Sequence, residues 1–274
     1  MLRLLLLCLL LGLGGCSTVR FAYNNADVYL RWQLTKYLDV EGAQSEELDR
    51  NIASFLGWHR ANALPQYIKL INDASARFAR GVSQDDLVWG YDSIQAQVLQ
   101  AVRAGAGETA DLLDRLTPEQ IAHMERRFAE DNRKYARDFL VGSMEERRRQ
   151  RVKRNVERLE EWFGELSEAQ FERVRRYAER APYPEGLRDR ERKRLQADFL
   201  VIVRAREAKA RFAEWAVQWE RRREPEHAAV VRAQRMEYFA MLLDLNKTLT
   251  PNQRQAAELR FRELAADLER LLRK

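Results

Sequence analysis

The chain has 274 residues, of which 48 are basic and 42 are acidic, so its formal net charge is +6. Glycine (12) and proline (6) are scarce, while strong helix formers such as alanine, leucine, glutamate, arginine and glutamine dominate. Few segments alternate with the period of two that marks a strand, which argues against a sheet protein. We predict an all-α fold: an elongated bundle of long antiparallel helices with no sheet.

The first residues, MLRLLLLCLLLGLGGCSTVR, have the layout of a secretory signal. The apolar run Leu4–Leu13 is shorter than the about 20 residues that a membrane-spanning helix needs. The end of the run, Leu13-Gly14-Gly15-Cys16, resembles a bacterial lipobox. This resemblance implies that residues 1–15 are a lipoprotein signal peptide and that Cys16 becomes a lipidated N-terminus carrying palmitate.

The lipobox resemblance also implies a location. Ser17 follows the cysteine, whereas an aspartate there would favour the inner membrane, so we expect an outer-membrane lipoprotein facing the periplasm. Residues 16–26 are predicted to form a lipidated tether. The other cysteine, Cys8, lies in the signal, so the mature chain would have no disulfide and no second thiol.

The helical pattern begins after the tether. Asp27–Leu38 is predicted to form a first helix, with Val28 and Trp32 facing inward and Leu34 and Leu38 as further candidates for the buried side. Ser45 opens a second helix. Pro65 is expected to kink or restart this second helix, because proline removes a backbone donor.

The middle of the chain continues in the same way. Ser83 opens a third helix, and Thr117 opens a fourth whose apolar stripe includes Phe139. Ser143 has two interpretations. It either caps a fresh helix or lies inside a rod that continues to Phe163.

A linker then divides the sequence. The segment PYPEG, Pro182–Gly186, is typical of a connection and separates an N-terminal helical region, 27–181, from a C-terminal helical region, 187–274. Four further helices are predicted from Ser167 onward: Ser167–Arg180, Leu187–Arg222, a helix that starts at Pro225, and Thr250–Leu272.

One motif occurs at three helix starts and consists of leucine, threonine or serine, two further residues and glutamine. Its members are Leu116, Thr117 and Gln120, then Leu166, Ser167 and Gln170, then Leu249, Thr250 and Gln253. The hydroxyl can accept a backbone N–H of the new helix, and the glutamine can reach back to the N–H of the capping residue. On this interpretation the motif is a capping box that only starts helices.

The same motif also resembles the signature of the Spy/CpxP-type chaperones. That resemblance implies a helical periplasmic protein that binds unfolded clients on a basic, partly apolar concave face. The present chain has two full matches and one with serine, and it is longer and carries a lipobox. The three copies are 50 and then 83 residues apart, which excludes a solenoid of fixed period.

A second resemblance covers Phe21–Tyr67, with Tyr23-Asn24-Asn25 and the stretch from His59-Arg60 to Leu64-Pro65-x-Tyr67. This region is similar to the start of an uncharacterised family of proteobacterial lipoproteins. The resemblance implies a helical envelope lipoprotein and supplies no activity.

The chemistry-bearing residues give no enzyme signature. The three histidines, His59, His123 and His227, lie on separate segments with no second ligand at helical spacing, and no metal or phosphate-binding motif occurs. We therefore predict no catalytic residues, no metal and no cofactor. His59 is the most distinctive histidine, and a buried hydrogen bond is favoured over a catalytic role.

Basic residues concentrate late in the chain, with twelve basic and six acidic residues from Arg188 to Arg223. Such a surface attracts anions, and the lipobox favours acidic protein clients or lipopolysaccharide over nucleic acid. The candidate binding residues are Arg211, Phe212, Trp215, Trp219, Arg221, Arg222 and Arg223. The competing interpretations are core packing for the aromatic residues and a solvated face for the arginines.

Two functions follow for a lipid-anchored binding module facing the periplasm. One is a holdase-type chaperone, which protects several unrelated unfolded proteins. The alternative is a structural or assembly lipoprotein, which docks one dedicated folded envelope partner without catalysis. Both contact the membrane through the lipid at Cys16.

The anchor can be tested directly. Cys16→Ala should abolish membrane attachment or leave the signal uncut, because the lipid bond and the cleavage both need the cysteine. Fractionation of cells and the mass of the mature chain measure the two effects. Unchanged attachment together with unchanged processing would contradict the lipobox prediction.

Overall fold

A computed structural model describes residues 17–273, with side chains from Val19 onward. Every regular element within this range is a helix, which confirms the all-α prediction. Among these helices, none combines the length and the apolar character needed to cross a membrane. The predicted signal peptide, residues 1–15, and Cys16 lie outside the described residues.

The described chain is a succession of helices joined by short connections. The helices are α1 Ser17–Asn24, α2 Ala26–Leu38, α3 Gly42–Trp58, α4 Leu64–Ala79, α5 Gln84–Leu113, α6 Pro118–Tyr135, α7 Met144–Phe163, α8 Glu168–Arg180, α9 Glu185–Arg204, α10 Ala208–Val217, α11 Pro225–Asn246 and α12 Pro251–Leu272. Two π-helical turns, His59–Ala63 and Ala136–Leu140, follow α3 and α6.

Hydroxyl caps open many of these helices. A capping box, in which cap and third helical residue exchange hydrogen bonds, is present at Ser83, Thr117, Ser143, Ser167 and Thr250. Ser143 therefore opens the separate helix α7, and the alternative of one continuous rod is not what the chain adopts. Local sequence chemistry is enough to place these starts.

The interruption expected at Pro65 is the first π-helical turn. Pro65 has no backbone N–H, and the N–H of the preceding Leu64 donates to the carbonyl of His59, five residues back. The helix thus passes from α3 into α4 with one extra residue in the turn. Turns of this kind often occur at functional sites.

The long helix predicted over Leu187–Arg222 is wrong, because the chain breaks into α9 and α10. Arg206 lies between them in the left-handed region, with φ of 56°. Asp114 caps the start of α10: its carboxylate oxygens accept the N–H groups of Ala208 at 2.6 Å and Lys209 at 3.0 Å. A carboxylate 94 residues away in sequence from Ala208 therefore decides where this helix begins.

Three apolar residues predicted to face inward are exposed. Val28 and Trp32 keep 64% and 60% of their surface, and Phe139 keeps 42%. The buried side of α2 is instead formed by residues that include Ala26 and Leu30. Leu38 is buried as predicted, so the prediction for α2 is wrong only for Val28 and Trp32 among these three residues.

The start of the predicted tether is also different from expectation. Residues from Ser17 onward form α1, and Val19 is buried against Leu268 and Leu271 of α12. The described part of the segment 16–26 is therefore a packed helix.

The interior consists of three clusters of apolar side chains. The first cluster combines α2, α3, α5, α6, α9 and α10, and its deepest members are Leu48, Leu112, Met124, Ile202, Val203 and Ala208. The second cluster combines α4, α7, α8, α11 and α12, and includes Phe78, Leu159, Val174, Leu245 and Ala257. The third cluster is Val19, Leu64, Leu268 and Leu271.

The two halves of the sequence exchange helices. The early helix α4 packs along α12, and the late helix α10 packs along α5. Side chains from both sides of Pro182–Gly186 therefore share the first and the second cluster. The segment is a connection between α8 and α9, and the core does not divide there.

Candidate functional site

The second and third copies of the motif face each other. Gln170 Nε2 donates to Gln253 Oε1 at 2.9 Å, and Gln253 Nε2 donates to Gln170 Oε1 at 3.0 Å. Each amide also donates to the carbonyl just before the other motif: Gln170 to Thr248 at 3.0 Å, and Gln253 to Glu165 at 2.9 Å. Both glutamines are buried.

The first copy has the same arrangement with a partner that the sequence analysis missed. Gln120 Nε2 donates to Gln44 Oε1 at 2.7 Å and to the carbonyl of Asp39 at 2.9 Å. Gln44 Nε2 donates in turn to the carbonyl of Arg115, the residue before Leu116, at 3.2 Å. Gln44 is the third residue of α3 and follows the buried Val40, so Val40–Gln44 is a degenerate fourth copy.

These contacts account for the polar atoms of the motif. Each of the three predicted glutamines accepts the N–H of its own cap and gives its amide hydrogens to a paired helix start. Leu116, Leu166 and Leu249 belong to the apolar clusters beneath them. The motif residues Leu116, Thr117, Gln120, Leu166, Ser167, Gln170, Leu249, Thr250 and Gln253 thus join pairs of helix starts.

The aromatic residues of the predicted binding set lie mainly in the core. Phe212 and Trp215 are buried in the first cluster, and both pack with tilted rings against Phe199, with ring centroids 5.1 and 5.6 Å away. Burial removes these two residues from a candidate surface and favours the packing interpretation. Trp219 is half-buried under the guanidinium of Arg223, which lies 5.0 Å from its ring.

The arginines of that set differ in their surroundings. Arg223 is largely covered and pairs with Glu220, and the exposed Arg211 pairs with Glu207. The exposed Arg222 donates to Gln218. These contacts favour the solvated-face interpretation for Arg211 and Arg222. Arg221 is also exposed.

A more open surface lies where α6 passes into α7. Phe139, Val141 and Met144 are 42%, 71% and 46% exposed. On the same stretch of chain, Arg133, Arg137 and Arg148 are exposed and have no carboxylate partner among the described residues. We call these six residues the α6–α7 patch.

A shallow groove adjoins the α6–α7 patch. Its volume is about 350 Å³, and Lys36, Arg127, Arg133, Lys134 and Arg137 line it together with two acidic residues. Lys134 and Arg127 have carboxylate partners in Asp138 and Glu130. The unpaired positive charge of the groove therefore comes mainly from Arg133 and Arg137, which also belong to the α6–α7 patch.

His59 lies in a ring of aromatic side chains at the π-helical turn. Its Nδ1 is 3.1 Å from the hydroxyl of Tyr23, and its Nε2 is 3.3 Å from the hydroxyl of Tyr67. Burial lowers the pKa of His59 from 6.5 to about 4, because the charged ring would lose its hydration. The structure brings together the tyrosines and the histidine of the Phe21–Tyr67 resemblance.

The other two histidines lie apart from this site. His123 Nε2 is 3.0 Å from the carbonyl of Lys36. His227 is buried, and neither ring nitrogen has a hydrogen-bond partner among the described residues. Burial and the nearby Arg223 lower the pKa of His227. No group of three metal-binding side chains occurs in the described range.

The fold and these surfaces define an all-helical protein with paired glutamine caps and an open, basic and partly apolar surface. The model of a family of unknown function, DUF6279, matches residues 36–224, which is more than half of the chain. The protein belongs to that family. No curated protein and no solved structure matches the chain.

The amide pair can be separated from the cap by one substitution. Gln170→Glu keeps an acceptor for the N–H of Ser167 but removes the donors to Gln253 and Thr248. We expect the free energy of unfolding to fall by about 2 to 3 kcal/mol, because buried acceptors lose their donors and a charge is buried. Urea denaturation at neutral pH measures this change.

The matched control exchanges the same residue types in a capping box that is exposed and has no paired helix start. Glu146→Gln does this at Ser143, and we expect only a small change. Equal losses in both variants would mean that Gln170 acts only as a cap.

His59 makes the free energy of unfolding depend on pH, with a defined sign. Between pH 6.5 and pH 4 the unfolded chain binds a proton that the folded chain does not, so stability is lost as the pH falls. Between pH 7 and pH 5 the contribution of His59 should fall by about 2 kcal/mol.

His59→Gln keeps a polar side chain beside the tyrosines and cannot titrate. The difference in unfolding free energy between this variant and wild type should therefore change by that amount between the two pH values. His123→Gln, which leaves His59 intact, should retain the dependence. If the difference in unfolding free energy between wild type and His59→Gln did not change with pH, the lowered pKa of His59 would be refuted.

Proposed function

We propose that this protein is a lipid-anchored envelope protein of the outer membrane, facing the periplasm, that binds other proteins as a holdase-type chaperone. The observation that carries the proposal is the α6–α7 patch, where exposed apolar side chains stand among arginines without carboxylate partners. The lipobox ending at Cys16 supports the location and the anchor.

The chemistry of the patch suits unfolded chains. Isolated exposed apolar residues are ordinary on protein surfaces, but a cluster of them supports a binding role. Phe139, Val141 and Met144 can cover apolar segments of a client, and methionine adapts to varied shapes. The arginines add long-range attraction for acidic clients, and the same charges suit lipopolysaccharide phosphates.

The resemblance to the Spy/CpxP-type chaperones adds to the proposal in a limited way. The motif that carries the resemblance holds helix starts together in this chain, and its glutamines are buried. A client would therefore contact surfaces that these pairs position. The patch lies between α6 and α7, each of which is opened by a capping box.

A second groove supports the alternative of one dedicated partner. The groove has a volume of about 240 Å³ and is lined by Leu116, Ile121 and Val203, with Arg204 and Arg206 at its edge. A recess of this size suits one or two apolar side chains of a folded protein. An assembly lipoprotein without holdase activity would use such a recess.

Holdase activity of residues 17–274 tests the proposal. Two unrelated unfolded proteins are followed by light scattering at near-stoichiometric ratios. We expect the wild type to suppress aggregation of both. The triple variant Phe139→Ser, Val141→Ser and Met144→Ser should lose most of this activity, because the apolar contacts are removed.

A second pair of variants tests the charges. Arg133→Gln, Arg137→Gln and Arg148→Gln should weaken protection of acidic clients most. The matched control, Arg50→Gln, Arg232→Gln and Arg262→Gln, removes the same charge from exposed positions elsewhere and should retain activity. If neither client is protected by the wild type, the holdase proposal fails and crosslinking for one partner becomes the test of the alternative.

A further inference from the structure

The first two helices have an apolar face that the rest of the molecule does not cover. Val19, Ala26 and Leu30 are buried, whereas Phe21, Val28 and Trp32 are 70%, 64% and 60% exposed. Two of these three exposed residues, Val28 and Trp32, are the ones predicted to face the core. We call Phe21, Val28 and Trp32 the outer face.

The outer face runs along one side of a nearly continuous helix. Asn25 separates α1 from α2, yet its N–H donates to the carbonyl of Phe21 at 3.2 Å, and Tyr29 donates to Asn25 at 3.1 Å. Helical hydrogen bonds thus cross the junction. Residues seven and four positions apart lie on the same side of a helix, so the three side chains form one stripe.

The stripe begins immediately after the predicted anchor. Phe21 is five residues beyond Cys16 in sequence, and Ser17 is already in α1. Trp32 is 15 residues beyond Ser17, the first residue of α1, which corresponds to about 22 Å along a helix that rises about 1.5 Å per residue. Val19 fixes α1 to α12, so little slack separates the anchor from the folded body.

We propose that the outer face lies on the membrane surface, with Phe21, Val28 and Trp32 inserted among the lipid headgroups. This inference rests on the lipid anchor of the proposed function. Tryptophan and phenylalanine are favoured at the boundary between headgroups and acyl chains. A helix held at one end by acyl chains, with an uncovered aromatic stripe along its side, matches a lipid surface better than a protein partner.

The local charges are compatible with this placement. Arg20 pairs with Asp267, and Arg31 pairs with Asp49, so both arginines next to the stripe are neutralised by the folded body. Asp27 is exposed on α2 between Phe21 and Trp32 in sequence. Insertion therefore depends on apolar contact, and anionic lipids should add little.

Quenching of tryptophan fluorescence by brominated lipids tests the proposal. Residues 16–274 contain all of the described structure and one cysteine, Cys16. Coupling this thiol to a maleimide lipid attaches the chain to vesicles of phosphatidylethanolamine and phosphatidylglycerol with brominated acyl chains. The contribution of Trp32 is the part of the signal that is lost in Trp32→Phe.

More than half of the Trp32 emission should be quenched. A matched control places tryptophan at an equally open site on α9, as Val201→Trp in the Trp32→Phe background, since Val201 is 58% exposed. That tryptophan should not be quenched. Phe21→Ser with Val28→Ser should reduce quenching of Trp32, while circular dichroism shows that the fold is kept.

Equal quenching at positions 32 and 201, or none at position 32, would overturn the proposal. Protection of Trp32 that rises with protein concentration in the absence of vesicles would also overturn it, because the face would then be a contact between copies. The chemical coupling supplies an anchor whether or not cells acylate Cys16. Failure here is therefore distinct from failure of the Cys16→Ala test.

Discussion

The structure depends on glutamine amides that meet in pairs at the starts of helices, and three of these four glutamines are buried. A buried glutamine must satisfy both its donors and its acceptor, since an unpaired polar group in the interior costs more than a hydrogen bond contributes. Gln170 and Gln253 meet this requirement with each other and with two backbone carbonyls, and Gln44 and Gln120 share a similar arrangement. The requirement fixes both the relative position and the register of the helices that they open.

The helices opened by these pairs form the two main clusters. The pair Gln44 and Gln120 joins α3 to α6 beside the first cluster, and the pair Gln170 and Gln253 joins α8 to α12 beside the second. The segment between α3 and α6 contributes α4 to the second cluster, and the segment between α8 and α12 contributes α9 and α10 to the first. A similar pattern of amide hydrogen bonds thus occurs beside both clusters.

Much of the fold could be predicted because its signals are local. Each hydroxyl cap and its partner lie three residues apart, so Ser83, Thr117 and Thr250 mark helix starts by themselves. Non-local determinants were missed. The break before α10 depends on Asp114, which lies far away in sequence, and Gln44 has no hydroxyl cap before it that would reveal its role.

For the candidate sites, too, local features could be predicted from the sequence, whereas contacts between distant segments could not. Spacing alone showed that Phe212 and Trp215 share a helical face, but only the packing of α9 and α10 shows that this face is interior. Val28 and Trp32 were expected in the core but are exposed. Spacing does not show which side of α2 is interior, because apolar residues occur on both sides of this helix. The arginines could be counted from sequence, whereas which of them lack a carboxylate partner depends on neighbours that are remote along the chain.

The exchange of helices has a consequence for the order of folding during synthesis. A chain made from its N-terminus presents α2, α3, α5 and α6 long before α9 and α10. Ile202, Val203 and Phe212, which complete the first cluster, have not yet been added at that stage. The apolar surface of the early helices therefore stays exposed until most of the polypeptide has been made.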